Sequence, residues 1–321
     1  MHIMQTALVP AGIQASRILE LWHLTLAVCG AVFAAILLAC LVAIVRAPRA
    51  NRATPVDLSS IDRPQPRTRL WIAAATGVST VLLLGLLLAD VMTDRALSRL
   101  PVDDALRIEM TGYQWWWEAK YLSDANTPEF TLANELHVPV GRPVIIALKA
   151  ADVIHTFWVP NLHGKKDMIP GRDATIEFRA DKAGVYRGQC AEFCGYEHAL
   201  MAFSITADPP ARYAAWAAQQ RQPAATPVDA LALRGRDVFI SQDCARCHTV
   251  RGTDATGTIG PDLTHLASRQ FIAAGTLANN RGNLAGWIVD PRTLKPGTVM
   301  PGTRLPPADL QALLVWLETL K

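Results

Sequence analysis

The chain has 321 residues, which is enough for two or three domains. Hydrophobic residues make up 50% of it and charged residues only 18%, so membrane-spanning segments are expected. A formal net charge of +3 is too small to predict a nucleic-acid-binding protein.

Two long uncharged runs near the N-terminus predict a transmembrane hairpin. Residues 21–45 and 70–89 contain no Asp, Glu, Lys or Arg, and each run is long enough to cross a hydrocarbon core of about 30 Å. A cleaved signal peptide is the alternative for the first run, but the run is too long and lacks a clear cleavage site. We expect spans at about 21–45 and 70–92 in a hairpin domain of residues 1–100.

The segment between the two runs predicts the orientation of the hairpin. It carries two aspartates and six arginines: Arg46, Arg49, Arg52, Arg63, Arg67 and Arg69. Arginine-rich loops stay in the cytoplasm. We therefore expect a bacterial inner-membrane protein with both termini, and everything after about residue 92, on the periplasmic side.

Short β-prone segments follow the hairpin, from about residue 105 to 207. They are rich in β-branched and aromatic residues, and glycines and prolines separate them. Many short strands with such breaks are typical of a β-sandwich, so we expect one in a domain of residues 101–215.

The stretch GQCAEFCGYEHALM, residues 188–201, concentrates possible metal ligands: Cys190, Cys194, His198 and Met201. A disulfide would need only the two cysteines, and a thioether is not a ligand for a structural zinc ion. Thiolate, thioether and imidazole together are a typical ligand set for copper.

A further ligand is expected from an earlier loop, where His137, His155 and His163 are the candidates. His155 follows a strand within an apolar, aromatic stretch that suits a buried site. His163 lies in a polar turn, where we expect it to be solvated, and His137 lies inside a strand. We therefore favour His155.

Two cysteines in one loop allow two thiolates to bridge two coppers. His155 and His198 would then bind one copper each, Met201 would be a weak axial ligand, and a backbone carbonyl would serve the other copper. Such a closed centre suits fast electron transfer and leaves no position open for a substrate.

The segments DVIHTFWVP, IPGR and GQCAEFCGxxHxxM resemble the dinuclear CuA domain of cytochrome c oxidase subunit II, as do the run YQWWWE and the preceding hairpin. The resemblance implies a cupredoxin-like fold. It also implies that the Glu192 side chain serves a magnesium or manganese ion shared with subunit I. The copper ligands that it implies are His155, Cys190, the Glu192 carbonyl, Cys194, His198 and Met201.

The same resemblance implies that electrons enter at the tryptophan after Gln114, which is Trp115. Simple packing is the alternative role for the run of three tryptophans. The family usually presents an acidic face to soluble cytochrome c. Here that face is sparse and includes a lysine; it comprises Glu118, Lys120, Asp124 and Glu129.

A segment rich in alanine, proline and glutamine predicts a linker at residues 216–229. The sequence CARCH follows, and C-x-x-C-H is the attachment motif of c-type haem. We expect thioether bonds from Cys244 and Cys247, with His248 as the proximal ligand. The adjacent histidine and the lack of a βαβ pattern argue against a redox-active C-x-x-C.

Two residues are candidates for the distal haem ligand, Met300 and His265. Met300 lies in a loop rich in proline and glycine before a closing helix, an arrangement that resembles an all-α class I cytochrome c domain, here residues 230–321. The resemblance implies that Pro261 supports the proximal histidine. Ligation by His and Met raises the haem potential, as a donor to copper requires.

The order of hairpin, CuA domain, linker and haem domain resembles subunit II of bacterial caa-type oxidases. The resemblance implies that electrons pass from a soluble donor such as cytochrome c, through haem c and CuA, to subunit I of a complex that also contains subunit III. Oxygen reduction and proton pumping would occur in subunit I. A CuA-bearing subunit of a nitric oxide reductase and a membrane-tethered electron carrier are the alternatives.

The two external parts of the chain carry opposite charges. Residues 101–220 have 11 Lys/Arg against 15 Asp/Glu, and residues 221–321 have 11 against 8, giving net charges of −4 and +3. Together with the sparse acidic face, this predicts that the haem domain is the normal entry point for electrons.

Overall fold

The computed structural model describes residues 3–47, 64–97, 100, 103–123 and 128–321. It divides into two compact units, residues 17–99 and a larger unit that joins residues 1–16 to 100–321. Arg49, Arg52 and Arg63 of the predicted cytoplasmic loop, and Asp124 of the acidic face, lie outside the described residues.

Two long helices contain the predicted spans. These are α1 (Ile13–Arg46) and α2 (Pro66–Leu97), and both are long and apolar enough to cross a membrane. At 1.5 Å per residue each is longer than the ~30 Å hydrocarbon core requires. Pro66 stands at the first position of α2, where its missing N–H costs no helical hydrogen bond.

A two-sheet β-sandwich follows, as the short β-prone segments separated by glycines and prolines predict. Its strands, with a short N-terminal β1, are β1 (Ile3–Met4), β2 (Leu106–Tyr113), β3 (Trp116–Leu122), β4 (Pro128–Ala133), β5 (Glu135–Pro139), β6 (Pro143–Ala150), β7 (His155–Trp158), β8 (Lys166–Met168), β9 (Ala174–Arg179), β10 (Gly184–Cys190) and β11 (Ala202–Asp208). One sheet has the order β4-β3-β2-β6-β9, and the other has β5-β11-β10-β7-β8 with β1 beside β10.

The core of the sandwich lies between the two sheets. In β6, buried Val144, Ile146 and Leu148 alternate with less buried residues, as expected for a strand with one face toward the core. Trp117 from one sheet packs edge-on against Phe203 from the other, with ring centroids 5.1 Å apart. This packing fixes the end of β10, where the cysteine motif begins.

The residues that precede α1 belong to the sandwich. Ile3 pairs with Val185 of β10 in a parallel register. The buried Asn161 accepts a hydrogen bond from the amide of Thr6 and donates one to the carbonyl of Val9. A Cβ on Gly12 would come within 2.5 Å of the Arg179 carbonyl, so only glycine permits this close approach.

The C-terminal part of the chain is helical. After the sandwich come α3 (Pro210–Gln220), α4 (Ala230–Ser241), α5 (Cys244–Cys247), α6 (Arg281–Val289), α7 (Pro291–Leu294) and α8 (Pro307–Leu317), with a two-stranded ribbon of β12 (Phe271–Ile272) and β13 (Leu277–Ala278). Helix α3 includes the first residues of the predicted linker. Helices α4 and α8 cross at Gly235, where a Cβ would collide with the Ala312 carbonyl.

Candidate copper and haem sites

The loop between β10 and β11 brings the soft ligands together. Cys190 ends β10, Cys194 lies in the loop, and Met201 directly precedes β11. His198 begins a short 3₁₀ turn, residues 198–200. Both cysteines are free and almost fully buried, and Met201 is completely buried. Two buried, unbridged thiols in one loop are not accounted for by a disulfide.

Each cysteine lies beside an imidazole. The Cys190 Sγ is 3.9 Å from His155 Nδ1, and the Cys194 Sγ is 3.6 Å from His198 Nδ1. Met201 Sδ lies 3.8 Å from Cys194 Sγ, and the Glu192 carbonyl oxygen lies 3.2 Å from Cys190 Sγ. The ligand atoms of His155, Cys190 and Cys194 all lie within 4.8 Å of one another.

His155 is held for metal binding by a residue that sequence reasoning missed. Its Nε2 lies 2.8 Å from Asp152 Oδ1, which leaves Nδ1 facing Cys190. Metal-binding histidines commonly donate their second ring nitrogen to a carboxylate, which fixes the ring and the tautomer. The position of Asp152, three residues before His155, was the available signal.

The two cysteine thiols shift each other's pKa in opposite directions. A hydrogen bond with the Cys194 thiol lowers the pKa of Cys190 well below its ordinary value, and His155 contributes to this shift. The same hydrogen bond raises the pKa of the Cys194 thiol. A cluster that stabilises a thiolate in a buried place is suited to a soft cation. The donor set therefore fits copper.

The other two candidate histidines lie away from this cluster. His137 is buried between carboxylates, with Nδ1 2.7 Å from Asp208 Oδ2 and Nε2 3.5 Å from Glu135 Oε1. His163 is half-buried rather than solvated, and its Nδ1 has no hydrogen-bond partner among the described residues. The Glu192 side chain is exposed.

Trp115 lies directly over the cysteine loop. Its indole N–H donates to the Cys194 carbonyl at 3.0 Å, and the Gln114 side-chain amide donates to the same oxygen at 2.7 Å. The ring is half-buried and packs against the sandwich core. Trp115 is thus in direct contact with the backbone of a candidate copper ligand.

The haem-attachment motif forms one short turn of helix. Cys244 and Cys247 begin and end α5, and both thiols are free and half-buried. His248 Nδ1 lies 2.8 Å from the Pro261 carbonyl, so a proton on Nδ1 leaves Nε2 free to bind iron. A Cβ on Gly260 would come within 2.6 Å of the His248 ring, which is therefore tightly held. The arrangement fits covalent haem.

The two candidates for the distal ligand differ in availability. Met300 is half-buried on the segment between α7 and α8. His265 is buried, with Nδ1 2.8 Å from the Lys321 carbonyl and Nε2 3.0 Å from the Gln222 carbonyl. Both ring nitrogens of His265 face backbone oxygens, so this geometry favours Met300.

Comparisons with known proteins bear on both sites. Residues 118–208 match the family model described as cytochrome c oxidase subunit II, periplasmic domain, and residues 232–321 match the one described as cytochrome c. Cytochrome c oxidase subunit 2 of Alkalihalophilus pseudofirmus is 40% identical over 220 residues, which is 68% of this chain and 62% of that protein. The same subunit of Bacillus subtilis is 30% identical over 232 residues, 68% of this chain and 63% of its own length.

A solved structure matches the sandwich in sequence. The periplasmic domain of subunit II of cytochrome oxidase (CoxB) of Bradyrhizobium japonicum is 33% identical, with a TM-score of 0.35; the match covers 38% of this chain and 97% of that domain. The matched region of this chain spans less than two thirds of the two full-length relatives, 62% and 63% respectively.

Proposed function

We propose that this chain is a member of the cytochrome c oxidase subunit II family and the electron-entry subunit of a haem-copper terminal oxidase. It receives electrons from a soluble donor such as cytochrome c and passes them, through haem c and CuA, to subunit I. Oxygen reduction coupled to proton pumping takes place in subunit I, within a complex that also contains subunit III.

The closed set of soft donors in the sandwich carries this proposal. Buried thiolates, each beside an imidazole, together with a buried thioether leave no room for a substrate at the metal. A rigid and saturated centre favours electron transfer over bond-making chemistry. The ligands are His155, Cys190, the Glu192 carbonyl, Cys194, His198 and Met201.

The C-terminal domain, residues 230–321 and below called the haem domain, holds the second group. Cys244 and Cys247 would form the thioether bonds to haem c, and His248 and Met300 would bind its iron. The Pro261 carbonyl holds the His248 ring through Nδ1. When bound, haem c and the copper pair each take up and release single electrons. The chain's residues fix their positions and exclude water.

The acidic residues that follow the tryptophan run in the sequence support entry through the haem domain rather than directly at CuA. Glu118 forms an ion pair with Lys120 at 3.1 Å, and Glu129 pairs with Arg221 at 2.6 Å. Carboxylates already paired within the chain attract a basic donor protein weakly. The Glu192 side chain, exposed beside the copper ligands, is the residue that would serve a magnesium or manganese ion shared with subunit I.

The chain is membrane-anchored, and its N-terminal segment supports the orientation that we propose. Ile3 and Met4 pair with β10, so the residues before the first span and the domain after the second lie on one side of the membrane. The arginine-rich loop then faces the cytoplasm, and the domains face the periplasm.

Metal content tests the dinuclear centre. The purified complex should contain one haem c bound to this chain and two coppers in its sandwich domain. Cys194→Ser should perturb or empty the copper site while the haem c spectrum stays intact, and Cys40→Ser, in α1, should change neither. A single copper alongside a full complement of haem c would contradict the proposal.

Gas consumption tests the terminal acceptor. The complex should co-purify with a large haem-bearing membrane subunit and consume oxygen when it is supplied with a reduced donor. Consumption of nitric oxide in place of oxygen would assign the chain to a reductase of that gas. If the chain purified without any partner subunit, the result would favour the alternative function, a membrane-tethered electron carrier.

A further inference from the structure

Lys295 is an unusual lysine because it is almost completely buried. Only 3% of it is exposed, and it follows α7 directly in the haem domain. Its Nζ lies 3.2 Å from the carbonyl of Trp115 and 3.0 Å from the carbonyl of Leu200. Both carbonyls belong to the sandwich, so one ammonium group joins the haem domain to the turn that holds Trp115 and to the copper loop.

A second polar contact lies two residues further along. The amide of Gly297 donates to Glu197 Oε1 at 3.0 Å, and Glu197 is only 2% exposed. The other carboxylate oxygen of Glu197 is buried without a hydrogen-bond partner among the described residues. Burial lowers the pKa of Lys295 to about 8, and the neighbouring Glu197 carboxylate opposes this shift in part.

Gly297 also brings the haem domain into contact with the Trp115 ring. A Cβ at this position would lie 2.8 Å from Cζ3 of Trp115, so any other residue would push the two apart. The opposite edge of the indole donates its N–H to the Cys194 carbonyl. The segment that runs from Lys295 to Met300 therefore reaches a copper ligand through a single aromatic ring.

We propose that Lys295 is a positioning residue that clamps the segment before Met300 onto Trp115, and that Gly297 permits the contact. The inference rests on the proposed function, since it concerns the passage of electrons from haem c to CuA. That passage moves one electron, which oxidises the ferrous iron and reduces the copper pair, with no bond formed or broken. The clamp fixes the approach of the two domains and covers Trp115 against an external donor.

Replacing Lys295 tests the clamp in the intact complex. Lys295→Met keeps an unbranched side chain that is one atom shorter and removes the charge, so both carbonyls lose their donor. Since hydrogen bonds to charged groups are among the stronger ones, we expect electron transfer from haem to copper to slow by on the order of tenfold. Lys321→Met removes one charge from an exposed position of the same domain and should leave the rate unchanged.

Two further measurements separate positioning from damage to either metal site. The optical spectrum of the haem and the paramagnetic spectrum of the copper should be the same in Lys295→Met as in the parent. Hydrogen exchange of residues 295–300 should be slow in the parent and faster in the variant. A second variant, Gly297→Ala, should also slow electron transfer from haem to copper and speed the hydrogen exchange of residues 295–300. Its control is Gly282→Ala, at an uncrowded exposed glycine, which should change neither.

The outcomes also distinguish this inference from the function on which it rests. A parent complex that transfers no electrons from haem to copper would overturn the proposed function. The clamp would be overturned, and the function left standing, by a different result. In that result the parent transfers electrons from haem to copper, and Lys295→Met and Gly297→Ala show the same transfer rate and the same hydrogen exchange as the parent.

Discussion

His265 shows how one side chain can decide between two haem ligands. In the sequence it competes with Met300, because both follow the attachment motif. In the structure its ring is held between two backbone carbonyls, of Lys321 and Gln222. A histidine so bonded ties together segments that are distant in sequence, and it would have to break both contacts to reach iron.

We therefore expect Met300→Ala to abolish the methionine-to-iron charge-transfer band and to lower the haem potential, because a thioether ligand raises it. Optical spectroscopy and redox titration measure the two effects. His265→Gln should keep the band. The assignment would be wrong if the band disappeared in His265→Gln and survived in Met300→Ala.

Residue types and spacing were sufficient to propose a set of copper ligands, because thiolate, thioether and imidazole in one loop suit copper and few other metals. They were insufficient for Asp152 and Lys295. A carboxylate near a histidine, or a lysine in a loop, is common in any sequence. Only the fold shows that Asp152 reaches Nε2 of His155 and that Lys295 is buried.

At the scale of elements, segments rich in β-branched and aromatic residues and separated by glycines and prolines predicted the sandwich, because such residues favour strands and such breaks separate them. The pairing of β1 with β10 was not predicted. A strand of two residues carries no periodicity, and its place depends on hydrogen bonds to β10, far along the chain.

The edge formed by β5, β11 and α3 contains a charged cluster that the sequence did not reveal. His137 stacks on Trp216, with ring centroids 4.1 Å apart, and faces Asp208 and Glu135. Asp208 also pairs with Arg212 at 3.1 Å. Burial lowers the pKa of His137, but the hydrogen bonds to the two carboxylates outweigh it, and the pKa is raised above the ordinary value of 6.5.

A raised pKa means that the folded state binds the proton more tightly than the unfolded state. His137 therefore stabilises the fold below about pH 6.5, and this contribution is lost as the pH rises through its raised value. We expect His137→Gln to flatten the decline of the melting temperature above pH 6.5, as measured by thermal unfolding of the copper-loaded protein across a pH series.

His163 provides the control because its shift has the opposite sign. Burial, with a contribution from Lys166, lowers the pKa of His163 to about 4. His163 therefore destabilises the fold as the pH falls below 6.5, because the unfolded state binds the proton more tightly. His163→Gln should change the dependence of the melting temperature on pH only below pH 6.5. An unchanged profile above pH 6.5 in His137→Gln would contradict the assignment of this cluster.

At the scale of the whole molecule, the order of domains was predictable, because each carries its own motif. The contact between the sandwich and the haem domain was not, since it depends on a few polar atoms in loops. Besides the Lys295 clamp, the Ala202 amide bonds to the Ala274 carbonyl, and Arg251 bonds to the carbonyls of Gln220 and Arg221.

Removal of the haem domain tests its role in the complex. Truncation after Gln222 should leave CuA intact and cause a large loss of turnover with the physiological donor, relieved only at high donor concentration. A tethered domain is present at an effective concentration on the order of millimolar, which a soluble donor must replace. Full turnover of the truncated complex at low donor concentration would show direct entry near Trp115.

The N-terminal strand has a consequence for biosynthesis. The residues around Ile3 are made before both spans, yet their partner at Val185 is made only after them. This pairing joins residues far apart in the sequence, and non-local strand pairings are associated with slow folding. Membrane insertion of the whole hairpin must precede completion of the sandwich, so a defect in inserting either span should appear as a failure to assemble the copper domain.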